Sequence, residues 1–196
     1  MNMKVEEITL EGEFVKLIPL RIEHLDKLCE FGLNQKIWEF YPFFIKTRED
    51  MQDYLEDSVN QQKNGTQLPF VTVDSVSREI VGSTRFMHIN RENKKLEIGS
   101  TWINPLWQRT YINTEAKLLM LTHAFEVWKC IRVEFKTYSL NEKSRRAILR
   151  LGAKEEGTLR NHMIMESGHV RDTVYYSIID SEWPDVKLAL RAKLRS

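Results

Sequence analysis

Residues 96–128 constrain the fold more than any other part of this chain. A strand-like run over 96–104 stops at Pro105, a short polar loop occupies 107–113, and a long apolar helix pattern starts near Thr114. Proline lacks the N–H that a ladder needs, so Pro105 ends the strand. Past the helix, Ile131-Arg132-Val133-Glu134-Phe135-Lys136-Thr137-Tyr138 alternates with the two-residue period of another strand. Strand, helix, strand predicts a right-handed crossover that sets the two strands parallel. The tight loop before the helix also points free backbone N–H groups outward, an arrangement suited to phosphate oxygens. Yet the loop, Trp107-Gln108-Arg109-Thr110-Tyr111-Ile112-Asn113, contains no glycine.

The remaining segments predict a mixed α/β domain. Residues 14–20 alternate as a first strand, and Ile22, Leu25, Leu28, Cys29 and Gly32 mark one face of a short helix. An aromatic loop follows at 40–45, and Thr47 is placed to cap a helix that Asn64-Gly65 ends. Strands are expected at 70–73 and 80–86, joined by a turn. A helix over 141–151 is closed by Gly152, two late strands lie near 153–161 and 171–179, and Ser181 is placed to cap a final helix. At 196 residues without a repeat or linker, the whole of 1–196 reads as one domain.

Composition narrows the function. A formal net charge of +1 argues against a dedicated nucleic-acid binder. No apolar run approaches the roughly 20 residues that span a bilayer, and Met1-Asn2-Met3-Lys4-Val5-Glu6-Glu7 lacks a signal peptide's apolar centre, so a cytoplasmic protein is expected. Cys29, Cys130 and the five histidines show no metal-ligand spacing; the thiols read as inert core residues and no metal is expected.

On local pattern, Gln108 and Arg109 precede the helix, Arg109 suits a pyrophosphate, and Thr110 and Thr114 can cap the helix or meet a phosphate. The same segment is also compatible with an ordinary strand-to-helix connection. Leu10-Glu11-Gly12, Glu97-Ile98-Gly99-Ser100-Thr101-Trp102, the loop from Gln108 to Glu115, Asn141-Glu142-Lys143-Ser144, Leu151-Gly152-Ala153, Arg160-Asn161-His162 and Arg171-Asp172-Thr173 together resemble the GNAT superfamily of acetyl-CoA-dependent N-acetyltransferases. The similarity is to its RimJ/RimL-like branch, named for ribosomal-protein alanine acetyltransferases. The resemblance implies a central, mostly antiparallel sheet of about seven strands, splayed between the fourth and fifth and flanked by helices.

It also implies a site. Gln108 stands at the first position of the family's phosphate loop, with Tyr111 and Asn113 at its two glycine-type positions, so the loop Gln108, Arg109, Thr110, Tyr111, Ile112, Asn113 and Thr114 is expected to seat the CoA pyrophosphate. Tyr111 departs from the pattern: CoA can still bind if its φ is negative and its ring turns aside. Pantetheine would enter the splay and pair with the backbone of Trp102 and Ile103. Asn141 matches a cofactor-contacting Asn, and Arg146 or Arg145 could meet the 3′-phosphate. Glu97 is the candidate general base; read as a strand residue alone, it could equally be a solvent-facing glutamate paired with Lys95 or Arg132. The family's Tyr acid falls at Ile148, so Ser144 is the candidate to protonate the thiolate, or else a plain first-turn hydroxyl. Tyr138 is a second choice, and His162 and His169 flank the late hairpin where acceptors enter family members. The implied reaction is acetyl transfer to a primary amine, on a protein N-terminus or a small molecule. A non-catalytic module and a longer-chain acyltransferase are the alternatives, and a homodimer is compatible with the family.

Overall fold

The computed structural model describes residues 3–195. In chain order the elements are β1 (Leu10–Glu11), β2 (Val15–Pro19), α1 (Leu25–Gly32), α2 (Gln35–Trp38), α3 (Arg48–Lys63), β3 (Leu68–Asp74), β4 (Ile80–Asn90) and β5 (Lys95–Ile103). They continue with α4 (Tyr111–Thr122), β6 (Arg132–Tyr138), α5 (Glu142–Arg150), β7 (Lys154–Ile164), β8 (Val170–Ile179) and α6 (Trp183–Arg195). One eight-stranded sheet has the order β1-β2-β3-β4-β5-β6-β8-β7. The strand beyond the seven expected is β1, a two-residue edge piece too short to carry an alternation pattern.

Local chemistry sets the element ends. Thr47 and Asp50 form a reciprocal capping box at the start of α3. Gly65 (φ 68°) and Gly152 (φ 97°) take the left-handed conformation past helix ends, which a residue without Cβ enters freely. Helix α4 begins at Tyr111, three residues before the expected start at Thr114, because Thr110 is its cap: Thr110 Oγ1 accepts from the Ile112 N–H at 3.3 Å. The helix then loosens into a π-helical turn, His123–Val127, before β6. Ser181 is not the residue directly before the last helix, which begins at Trp183.

The central strands bury both faces, while the edge strand β7 is largely exposed. Phe70, Phe86, Ile98, Val133 and Tyr176 pack with Ile112, Met120 and Leu121 of α4 and with Trp183 and Leu190 of α6. On the other face Val71 and Trp102 pack with Leu25, Leu28, Trp38, Met51 and Leu55. Adjacent Phe70 and Val71 fall in different cores because successive strand side chains alternate. Each such side chain contributes about 1.5–3 kcal/mol of burial.

Two irregularities in β5 shape the site. Ser83 pairs with Trp102 and Arg85 with Gly99, so Ser100 and Thr101 together oppose Thr84: a β-bulge, with Ser100 at φ 45°. On the other edge, β5 and β6 are parallel and pair only at Lys95↔Arg132, Leu96↔Val133 and Glu97↔Glu134. Beyond Glu97 the ladder stops and the strands part, giving the splay that the resemblance implied.

Candidate active site

The loop between β5 and α4 answers the question of its missing glycine. The left-handed conformation falls on Arg109 (φ 63°), not on Tyr111, which is the first helical residue and is absent from the positive-φ positions. Tyr111 turns its ring into the protein: it packs on Phe14 at 5.1 Å between centroids, and its hydroxyl donates to Asp74 Oδ1 at 2.6 Å. Burial works to raise the Asp74 carboxyl, but the bonds from Tyr111 and from the Ser77 N–H outweigh it and hold it below its ordinary value. Donation to Asp74 in turn pushes the Tyr111 phenol up to about 12. The ring therefore serves as a strut beneath the loop. Helix geometry leaves the Tyr111 and Asn113 N–H groups without intrahelical acceptors.

The other loop side chains are largely engaged. Gln108 Nε2 donates to the Ile103 carbonyl at 3.2 Å, and Thr110 Oγ1 donates to the Trp107 carbonyl at 2.8 Å. Ile112 is buried in the core, and its N–H is held by the Thr110 cap. Thr114 is buried and accepts from Arg150 Nη2 at 2.6 Å, so its hydroxyl faces α5 instead of the loop mouth. Next to it Glu115 accepts from the Glu13 and Phe14 N–H groups at 3.0 and 2.7 Å. Gly12 makes room for that carboxylate, since a Cβ there would lie 2.6 Å from Glu115 Cδ.

Of the two residues expected to offer backbone to a pantetheine, the structure puts one at the splay. The Asn104 N–H donates to the Val81 carbonyl, which sets the phase of β5: backbone groups of Asn104 and Trp102 face β4, and those of Ile103 face the opposite edge. Trp102 is committed twice over, by its pairing to Ser83 and by its buried indole, which donates to Tyr54 Oη at 3.3 Å. The Thr101 carbonyl also faces away from β4, where it accepts from the Tyr41 hydroxyl at 2.8 Å.

Glu97 sits at the last paired rung before the strands part. It is 4 % exposed, and its partners are Lys136 (3.0 Å) and His88 (3.9 Å). The expected alternative pairing does not form: Lys95 and Arg132 hold Glu134 instead, at 3.2 and 2.8 Å. Gly99 makes room for the carboxylate, because a Cβ there would lie 2.9 Å from Glu97 Oε1 and 2.7 Å from Met87 Sδ. Asn141 caps α5 by accepting from the Ser144 N–H at 3.0 Å, which leaves the half-buried Ser144 hydroxyl without a partner among the described residues. Arg145 is bound to Tyr176, Glu142 and Glu155, whereas Arg146 is exposed and unpaired among the described residues, so of these two Arg146 is the cation available to a ligand. Ile148, in the position of the family acid, is a core residue. His123 is packed between Phe86 and Trp128, where burial lowers its pKa. Burial raises both thiols, Cys130 to about 12.

Two residues at this centre, Lys117 and Arg85, escaped the sequence reading, and a third, Arg171, carried no role in it. Lys117 of α4 is 4 % exposed and donates to Thr84 Oγ1 (2.8 Å) and Thr101 Oγ1 (2.7 Å) across the bulge, with no carboxylate partner among the described residues; burial pushes it down to about 7. Arg85 and Arg171 are buried on the face opposite α4, where the half-buried Tyr41 also lies. The available signal was a charged residue at an apolar-phase position: Lys117 after Ala116, and Arg85 before Phe86.

The site is thus a parallel strand pair that opens at a buried carboxylate, with a helix N-terminus beyond its open end. The sequence profile of the Acetyltransferase (GNAT) domain matches residues 15–154, and the chain belongs to that family. It is 33% identical to a GCN5-related N-acetyltransferase of Brucella melitensis whose crystal structure superposes with a TM-score of 0.88, covering 96% of this chain and 86% of that one. A Bacillus licheniformis protein named "Uncharacterized N-acetyltransferase p20" is 24% identical over 89% of this chain and 98% of its own length. The Bacillus subtilis protein named "Putative ribosomal N-acetyltransferase YdaF" is 34% identical over 55% of this chain; that match spans 58% of its length.

Proposed function

We propose that this protein transfers an acetyl group from acetyl-CoA to a primary amine, on a protein N-terminus or a small molecule, within a ternary complex. The observation that carries the reading is the β5–β6 ladder that stops at Glu97, leaving the Ile103 N–H outside the ladder beside the α4 N-terminus while Gln108 occupies the Ile103 carbonyl. The residues fit the cosubstrate. N–H groups of the first turn of α4, with Gln108, Arg109, Thr110 and Asn113, would meet the pyrophosphate, and Arg146 the 3′-phosphate. Ile103 would offer its backbone to the pantetheine.

In the reaction the amine nitrogen attacks the thioester carbonyl carbon, the C–S bond breaks, and the amide forms. Glu97, held in place by Lys136, takes the proton that the amine loses, directly or through one water. Ser144 gives a proton to the departing thiolate and regains one from solvent. Free backbone N–H groups at the splay would stabilise the carbonyl oxygen as it gains charge.

Calorimetry with acetyl-CoA and CoA tests the binding half; no heat up to millimolar ligand sinks the reading. Glu97→Gln and Ser144→Ala test the chemical half, each expected to cut kcat by about a hundredfold, within the range for general acid–base groups. Unchanged turnover in both removes those roles.

A further inference from the structure

The face of the splay opposite α4 holds more positive charge than its own carboxylate can balance. Arg85, on β4, is 3 % exposed. Its Nη1 donates to Gln67 Oε1 at 3.0 Å and its guanidinium lies 4.8 Å from the Tyr54 ring centroid, but Nε and Nη2 are buried without a partner among the described residues. Arg171, on β8, is 6 % exposed. It stacks 5.5 Å from the Tyr138 ring centroid, and Nε and Nη1 donate to Thr173 Oγ1 and the Phe40 carbonyl at 3.3 and 3.4 Å, leaving Nη2 free among the described residues.

Neither arginine has an ion-pair partner among the described residues, and Glu97 is already taken by Lys136. The two guanidiniums also belong to one locality: Arg171 bonds the Phe40 carbonyl, the next residue Tyr41 packs on Trp38 at 5.0 Å between centroids, and Trp38 packs on Tyr54, over which Arg85 lies. Burial pushes the Tyr41 phenol upward and Tyr54 adds to this, while Arg85 and Arg171 both act on it in the opposite sense. Arg171 in turn feels Tyr138, Tyr41 and Glu97. The locality has walls: the β7–β8 turn is fastened to the aromatic loop by Glu166 N–H to the Pro42 carbonyl (2.8 Å) and Phe44 N–H to Glu166 Oε2 (2.9 Å), and His169 and Phe40 flank Tyr138.

A buried cation without a counter-ion costs several kcal/mol, so a ligand anion is the natural complement. The unpaired atoms favour a planar one. Nε and Nη2 of Arg85 share one edge of the guanidinium, the edge that pairs with both oxygens of a carboxylate. We propose that the acceptor is an aminocarboxylate, whose amine meets Glu97 and whose carboxylate is held by the Arg85–Arg171 pair. This rests on the acetyltransferase reading and names its substrate class. A polyamine would bring further positive charge to a face that already has an excess, and a protein N-terminus would bring no carboxylate beside its amine.

The test measures CoA release from acetyl-CoA with L-amino acids, the matching amino acid amides, and spermidine. Charge-assisted bonds to a carboxylate predict that acids exceed their amides about ten- to a hundredfold in kcat/KM, through KM. In Arg171→Gln the acid-over-amide preference disappears; Arg171→Lys, which keeps the charge and loses the fork, restores part of it. Faster turnover of amides or spermidine, no turnover of any acid, or a preference that survives in Arg171→Gln overturns the inference while leaving acetyl transfer standing. Titration of the free protein with the same acids and amides reads the carboxylate site without acetyl-CoA, and no heat with any acid also overturns it. Loss of acetyl-CoA binding, by contrast, is a failure of the enzyme reading.

Discussion

Lys117 offers the sharpest quantitative test of the structure. Its ammonium lies between α4 and the β5 bulge with two threonine hydroxyls and, among the described residues, no carboxylate, and burial lowers its pKa from 10.5 to about 7. At roughly 1.4 kcal/mol per pH unit, that difference is on the order of 5 kcal/mol. The folded-state value lies below the unfolded one, so between those two pH values the unfolded chain binds the extra proton and stability rises with pH. Below about pH 7 both states are protonated and the native state carries the full cost of the buried charge. Lys117→Met removes the cost and keeps the side-chain length. The two hydroxyls lose a shared donor, but they lie 2.8 Å apart and can bond to each other. Allowing about 1–2 kcal/mol for the lost bonds, the variant is expected to be about 3 kcal/mol more stable than wild type near pH 6. Urea denaturation at several pH values measures it. Wild-type stability should climb steeply above neutrality, and the variant's dependence should be flatter by one proton. A variant that is less stable near pH 6, or that keeps the wild-type slope, refutes the argument. Because Lys117 also ties down the bulge beside the splay, the stabilised variant is expected to lose turnover.

Tyr111→Phe leaves the buried Asp74 carboxylate short of one donor and should cost about 1–3 kcal/mol at neutral pH by urea denaturation, with CoA affinity unchanged because the hydroxyl points away from the loop mouth. Asp74 is held below its ordinary value, so its contribution is present above the unfolded pKa of 3.8 and fades as pH falls through the lower folded value; the gap between wild type and variant should narrow there. Gly99→Ala places a methyl against Glu97 Oε1 and Met87 Sδ, and should lower kcat by about tenfold or more with little change in calorimetric CoA affinity, as expected for a displaced catalytic group.

Much of the fold was legible because it rests on local chemistry. The periodicities of residues 96–138 set a parallel crossover, Thr47, Gly65 and Gly152 mark helix ends, and the apolar phases of β3 and α4 mark the core. The site was legible in part. Glu97, Asn141 and Ser144 could be singled out by the resemblance, but what each one touches could not. Glu97 reads as a glutamate between Leu96 and Ile98, and nothing nearby in sequence announces Lys136 as its partner, thirty-nine positions away on a parallel strand.

What the chain determined by itself was the crossover, the single domain and the capped loop before α4, since these depend on residues close together in sequence. Only the tertiary structure decided which edge of β5 is free, where Tyr111 places its ring, and that Lys117, Arg85 and Arg171 are buried. A bulge of one residue reverses which backbone groups face the splay. The state of a buried charge depends on neighbours brought in from other elements. Neither is a property of a local segment, so neither could be read along the chain.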